Sequence, residues 1–357
     1  MDFSIDTEQK ALRDAARELA SRRAPQHGEG DVPVGPAPHD ADTWSALAEV
    51  GALGLPFAED VGGFGASAVE VSLVATELGK AGVRTAYADA LIAGSLLATA
   101  GSDLLESVTD GSALVVPAMA EPDRAWSITT SSVTAEGADD SWKLTGEKSP
   151  VPYADAASHV VVPASVEGGL AIFLVEGPTA AGGGVTFDGT AATLLIGPDN
   201  GAAALSQAIN LGIVTLCAEA LGAMEGASTM TVEYLKTRKQ FGVPLMSFQT
   251  LTQRAADMYV SLELARSTAL FAAMAISDDP SDSTTASRAK VVVGQSGRHI
   301  GQESIQLHGG IGMTAEYAVG HLVTRLTAIE RTFGDTRQHL ASLASTLSDH
   351  EQVDILS

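Results

Sequence analysis

The feature that most constrains this chain is a double switch in hydrophobic period. Up to about residue 111 the apolar residues recur at helical intervals, at Ala113 the pattern changes to short β-branched runs, and from Gly201 helical periodicity returns. That order predicts an α+β multidomain protein: an N-terminal helical domain at 1–111, a small middle β domain at 112–200 and a C-terminal four-helix bundle at 201–357. With 357 residues there is enough chain for two or three packed units around a large core.

In the first unit, residues 3–24 read as a helix, with Asp6 and Gln9 at capping-box spacing and Leu12, Ala15, Ala16 and Leu19 on one stripe. The irregular stretch QHGEGDVPVGPAPHD separates it from a second helix at about 42–52, and a longer apolar helix covers Ala68–Leu78. Strands are expected in ALVVPAMAE, SVTAEGADDSWKLTGEKS, HVVVPASVE, GLAIFLVE and GVTFDG, and the β unit reads as shortened between Phe187 and Gly197. Helices then follow at Ala203–Thr237, Ser247–Ile276, Ser287–Leu307 and Ala318–Leu347, the second carrying apolar residues around much of its circumference.

Charge and cysteine usage narrow the function classes. With 44 acidic against 21 basic residues, a net −23, the chain repels nucleic-acid phosphates and anionic lipid surfaces. Charges interrupt the apolar stretches too evenly for an expected membrane span, and the single Cys217 excludes an intramolecular disulfide or a cysteine-rich metal site. The N-terminus MDFSIDTEQK has neither a basic nor an apolar leader region, so a reduced cytoplasmic setting is expected.

Two segments carry chemistry. Lys236, Arg238 and Lys239 cluster at a helix end: a guanidinium there fits a phosphate through a bidentate fork, and equally complements the helix C-terminal dipole. Gly309, Gly310 and Gly312 follow a second helix, where glycines admit close backbone approach of a ligand or simply end the helix. His308 reads as packed or capping rather than catalytic, because no nearby carboxylate or serine completes an acid–base pair.

The segments AEALGAMEGASTMTVEYLKTRKQFGVPLMSFQTLTQRAADM and QLHGGIGMTAEYAVGHLVTRLTAI resemble signatures of the acyl-CoA dehydrogenase family, most closely the smaller subunits of its heteromeric members, such as pimeloyl-CoA dehydrogenase small subunits. The resemblance spans nearly the whole chain and implies the family's helical, β and four-helix architecture. It implies FAD as cofactor, with Arg238 on the FAD pyrophosphate of a neighbouring subunit and Gln240, Phe241, Phe248 and Gln249 lining the cofactor. Gln306, Leu307, His308, Gly309 and Gly310 then match the loop against the adenosine half, also across a subunit boundary.

Family members remove a proton α to the thioester carbonyl with a carboxylate while the flavin takes hydride from the β carbon. The two positions known to supply that carboxylate fall here on Phe333 and Gly212, neither of which titrates. Glu219 lies two turns, about 10 Å, from the second position; Asp335 and Glu330 flank the first. EPDRAWS at 121–127 and GEKSPVPY at 146–153 also depart from the family's ring-facing segments. The resemblance therefore implies the non-base-bearing smaller subunit of a heterotetramer in fatty acid or steroid side-chain β-oxidation, completing the FAD site of a larger subunit, with acyl-CoA as substrate and electron-transfer flavoprotein as acceptor. The alternatives are a self-sufficient homotetramer with an atypical base, or a flavin-free relic of the fold.

Overall fold

A computed structural model describes residues 5–28, 32, 35, 37–138 and 141–346. Helix α1 (Thr7–Arg22) starts at the expected capping box: Gln9 N donates to Asp6 Oδ1 at 2.8 Å and Asp6 N to Gln9 Oε1 at 3.1 Å. Helices α2 (Ala41–Glu49), α3 (Ala68–Ala81), α4 (Tyr87–Ala100) and α5 (Leu104–Thr109) complete the N-terminal helical layer. Part of the Pro/Gly-rich stretch at 26–40 lies outside the described residues.

Strands β1 (Val115–Pro117), β2 (Thr134–Ala138), β3 (Ser141–Lys148), β4 (His159–Val166), β5 (Gly169–Glu176), β6 (Ala180–Ala181) and β7 (Gly184–Ile196) follow. Their pairing order is β1-β4-β2-β3-β7-β5, and β4 also pairs with β5, so the sheet curls back on itself. The stretch after Phe187 does not end the strand. β7 runs unbroken for 13 residues, pairing with β3 through its first part and with β5 through its last. Inside this sheet, Lys148 is 1% exposed and donates to Glu121 Oε1 at 2.6 Å and Ser131 Oγ at 2.9 Å. Burial alone would raise the Glu121 pKa, but Lys148 and the donors of Ser132 hold it at about 2.

The C-terminal layer is α6 (Pro198–Thr237), α7 (Gln249–Asp278), α8 (Ser283–His308), α9 (Ala318–Arg331) and α10 (Thr336–Ser345). The expected single helix over Ala318–Leu347 is broken. Phe333 and Gly334 take φ of 57° and 92°, and Asp335 begins α10 as half of a capping box with Gln338, a spacing already present in the sequence. Leu347 lies outside the described residues. Buried Lys290 holds the break from α8, donating to the carbonyls of Ile329 and Thr332.

By length and composition, α6 and α7 are each apolar enough to cross a membrane, contrary to the reading that charge interrupts every such stretch. A core helix has the same length and composition. Most of α6 is indeed interior. Its buried seam with α3 is backbone on backbone: a Cβ on Gly222 would lie 1.9 Å from the Thr76 carbonyl oxygen, and one on Gly79 2.0 Å from that of Glu219.

Because the obstructing atoms at this seam are backbone, Gly222→Ala forces the two helices apart. Urea unfolding should show a loss of about 1–3 kcal/mol, the usual cost of overpacking, and an undiminished midpoint would mean that the helices separate freely.

Candidate functional site

One set of sequence-predicted residues gathers at the end of the bundle where α6 and α8 both terminate. Arg238 is the C-cap of α6 and leads into a two-residue hairpin, β8 (Lys239–Gln240) against β9 (Val243–Pro244). Its turn residues Phe241 and Gly242 both have positive φ, as a tight hairpin of this hand requires. The hairpin thrusts Phe241 out to 91% exposure, its ring edge-on to Phe248 at 6.1 Å. Gln240, Gln249 and Arg238 are exposed as well. Lys236 is paired with Glu233 at 2.7 Å, whereas Arg238 has no carboxylate within ion-pair distance among the described residues.

At the end of α8, Gln306, Gly309 and Gly310 face outward, while Leu307 and His308 turn inward at 6% and 3% exposure. His308 is held as a packed, neutral ring. Its Nδ1 donates to Ser304 O at 2.8 Å, Tyr234 and Tyr317 lie 4.6 and 5.0 Å from it, and burial lowers its pKa. The Tyr234–His308 stack locks the ends of α6 and α8 together, bringing the two motifs to one surface. A Cβ on Gly309 or Gly310 would meet no atom of this chain within 4 Å, and Gly309 has φ 66°. This cradle fits the backbone approach of a flat or phosphorylated group from outside the chain.

The other set lies deep in the molecule. The two base positions, counted from motifs far apart in sequence, meet in space: a Cβ on Gly212 would stand 3.5 Å from Phe333 Cε2 and 2.4 Å from Ile92 Cδ1. Phe333 is buried, with the Trp126 ring at 5.3 Å. The EPDRAWS segment therefore packs directly on Phe333.

The flanking carboxylates are engaged elsewhere. Asp335 accepts from Gln338 N at 2.8 Å, Glu330 accepts from Arg298 at 3.3 Å and Thr336 N at 3.2 Å, and Glu219 accepts two bonds from Arg325 at 2.5 and 2.7 Å.

Sequence reasoning missed Asp89, one turn before Ile92 on α4. Burial raises its pKa to about 7 against the pull of Arg325. The signal was a lone acid in an otherwise apolar helix, YADALIAGSLLATA.

The two sets cannot serve one cofactor within one chain. From Gly212 to Arg238 along unbroken α6 is roughly 39 Å at 1.5 Å per residue, further than a single dinucleotide reaches.

Family models for the acyl-CoA dehydrogenase N-terminal and C-terminal domains match residues 6–106 and 199–347. The chain belongs to the acyl-CoA dehydrogenase family. Acyl-CoA dehydrogenase IpdE2 of Mycobacterium tuberculosis (strain ATCC 25618 / H37Rv) is 30% identical over 87% of this chain and 88% of its own. Probable acyl-CoA dehydrogenase YngJ of Bacillus subtilis (strain 168) is 28% identical over 90% and 93%. Among solved structures, the Tcur3481-Tcur3483 steroid ACAD superposes with TM-score 0.86 at 29% identity, covering 96% of this chain and 98% of that one. The ChsE4-ChsE5 complex from Mycobacterium tuberculosis reaches 0.85 at 24% identity, covering 99% and 100%. The expected fold class is therefore the observed one, and members of the family bind FAD.

Asp89 supplies a test of this interior. Its folded pKa of about 7 lies above the ordinary 3.8, so the unfolded chain ionises first and the folded state loses stability as pH rises between those values. Asp89→Asn removes that loss. Its stability relative to the unsubstituted protein should climb from pH 4 to 7 and then level off in urea titrations; a flat difference would place Asp89 in water.

Proposed function

We propose that this chain is the smaller, non-base-bearing subunit of a heteromeric FAD-dependent acyl-CoA dehydrogenase. The observation that carries the reading is the apolar filling of both base positions by Gly212, Phe333, Ile92 and Trp126. The long separation along α6 supports it too, because the outward-facing motifs reach a flavin held mainly by another subunit.

In this reading Arg238 pairs with the FAD pyrophosphate, and Gln240, Phe241, Phe248 and Gln249 line the cofactor beside it. Gln306, the backbone of Leu307 and His308, and Gly309 and Gly310 close over the adenosine half. When bound, FAD supplies the hydride acceptor for α,β-desaturation of the thioester. The larger subunit brings the carboxylate that removes the α proton, and electron-transfer flavoprotein re-oxidises the complex.

The assembly is a pair of heterodimers in the cytoplasm. Exposed Tyr259, Val260 and Leu264 on α7 supply an apolar face for a neighbouring bundle. The three units divide at 111/112 and 200/201. Nucleic acid and membrane are not partners, in keeping with the net charge of −23. The printed names of the Tcur3481-Tcur3483 and ChsE4-ChsE5 structures support a two-chain assembly, and the first supports a steroid substrate class.

A self-sufficient homomer is the second reading, favoured by Asp89, whose raised pKa suits a general base near neutrality.

The isolated chain should purify with little flavin, and the complex with its larger partner should be yellow; stoichiometric flavin on the monodisperse single chain would sink the proposal. Arg238→Ala should weaken FAD retention in the complex by one charge-assisted bond, about 1.5–3 kcal/mol, with an unchanged dissociation constant pointing to a helix-end charge only. Amide replacement of Asp89, Glu219, Glu330 or Asp335 should leave turnover of the complex within a few-fold. Loss of a true base costs about 10²–10⁴-fold, so a drop of that size in any one of them, with flavin still bound, would establish the homomeric enzyme instead.

A further inference from the structure

A cavity of about 30 Å³ lies where the connection after α1, the α3–α4 turn, α6 and the first turns of α9 meet. Among the described residues its titratable wall residues are His27, Lys80, Arg84, His321 and Arg325, all basic, in a chain of net charge −23. Such a concentration is costly unless each cation is matched, and the matching is incomplete. Lys80 faces Glu225 at 3.2 Å, although Glu225 also serves Arg266, and Arg325 is held by Glu219. Among the described residues Arg84 has no carboxylate within ion-pair distance, and its guanidinium donates to the carbonyls of His321 at 3.1 Å and Gly35 at 3.4 Å. Asp89, another carboxyl near Arg325, is raised by burial to about 7 and so is only partly ionised at neutral pH.

Three further features mark the same place. His27 and His321 stack at 4.1 Å, and His321 Nε2 donates to Ala315 O at 2.7 Å. Burial, His321 and Arg84 together lower the pKa of His27, the response of a base held among other bases. Ala318 brings the start of α9 into the wall, and that helix has no side-chain cap on its first N–H groups. The volume admits roughly two water-sized atoms, the size of the two oxygens of a carboxylate or one edge of a phosphate, and excludes a nucleotide or a ring.

We infer that this cavity binds a small oxyanion, a carboxylate or phosphate group, through the Arg84 guanidinium, with His27 and the start of α9 as secondary donors. The site is separate from the FAD motifs. Met230 in its wall lies one turn before Tyr234 on α6, and none of the wall residues belongs to the hairpin after α6 or to the glycine loop. The inference does not depend on the subunit reading, because it concerns residues of this chain alone.

The test is calorimetric titration of inorganic phosphate and, separately, of acetate into the full-length protein as isolated, at low ionic strength with chloride as the reference anion. One site per chain is expected, with affinity at least tenfold weaker in Arg84→Met while the flavin content of the complex stays unchanged. Saturation by phosphate alone assigns a phosphoryl group, by acetate alone a carboxylate, and by both an oxyanion site without further selection. Should Arg84→Met fail to fold, Arg84→Lys, which keeps the charge and loses the fork, and His27→Ala should each bind several-fold more weakly. No binding above chloride, or equal affinity in the folded variants and the unsubstituted protein, overturns the inference.

Discussion

The architecture depends on the direct backbone contact between α3 and α6. Gly79 and Gly222 let the two helices approach until carbonyl oxygens of one occupy the space where the other would carry a Cβ. That contact fixes the axial position of α6 against the N-terminal layer, and α6 carries Gly212, Glu219, Met230, Tyr234 and Arg238 in one continuous rod. Interior, cavity and bundle end are therefore held in fixed relation. A rigid spacer of this kind suits a protein whose two ends address different sites.

The interior around the base positions is apolar and closed, while charge is pushed to defined clusters. Phe333 fills this buried place because the chain turns there through two residues of positive φ, held by Lys290 from α8 and by the capping box of Asp335. The same turn engages Asp335 and Glu330 with backbone N–H groups and Arg298. In the β unit, the buried Lys148–Glu121 pair plays a comparable part. Its satisfied hydrogen bonds keep the altered loop of residues 121–127 against the bundle, which places Trp126 on Phe333.

Much of the fold was legible in the sequence because the signals were local. The capping box of Asp6 and Gln9 marked the start of α1, and the short apolar, β-branched runs at 159–166 and 169–176 marked β4 and β5. The break between α9 and α10 was overlooked because helical periodicity persists across it; only the capping spacing of Asp335 and Gln338 gave it away. The strand after Phe187 was underread because small residues, DGTAAT, follow it, and its pairing with two different strands supplies the stability that stretch lacks.

What the sequence by itself determined was the order of elements, the family motifs at the ends of α6 and α8, and the non-titrating Gly and Phe at 212 and 333. Those depend on residue type and short-range spacing. Only the tertiary structure decided that Gly212 and Phe333 face each other, that Tyr234 and His308 bind the two motifs into one surface, that burial raises the Asp89 pKa to about 7, and that Arg84 donates to backbone carbonyls beside a basic cavity. Each of these rests on burial and on partners brought together from distant parts of the chain, and desolvation and charge pairing are properties of the assembled surroundings rather than of any stretch of sequence.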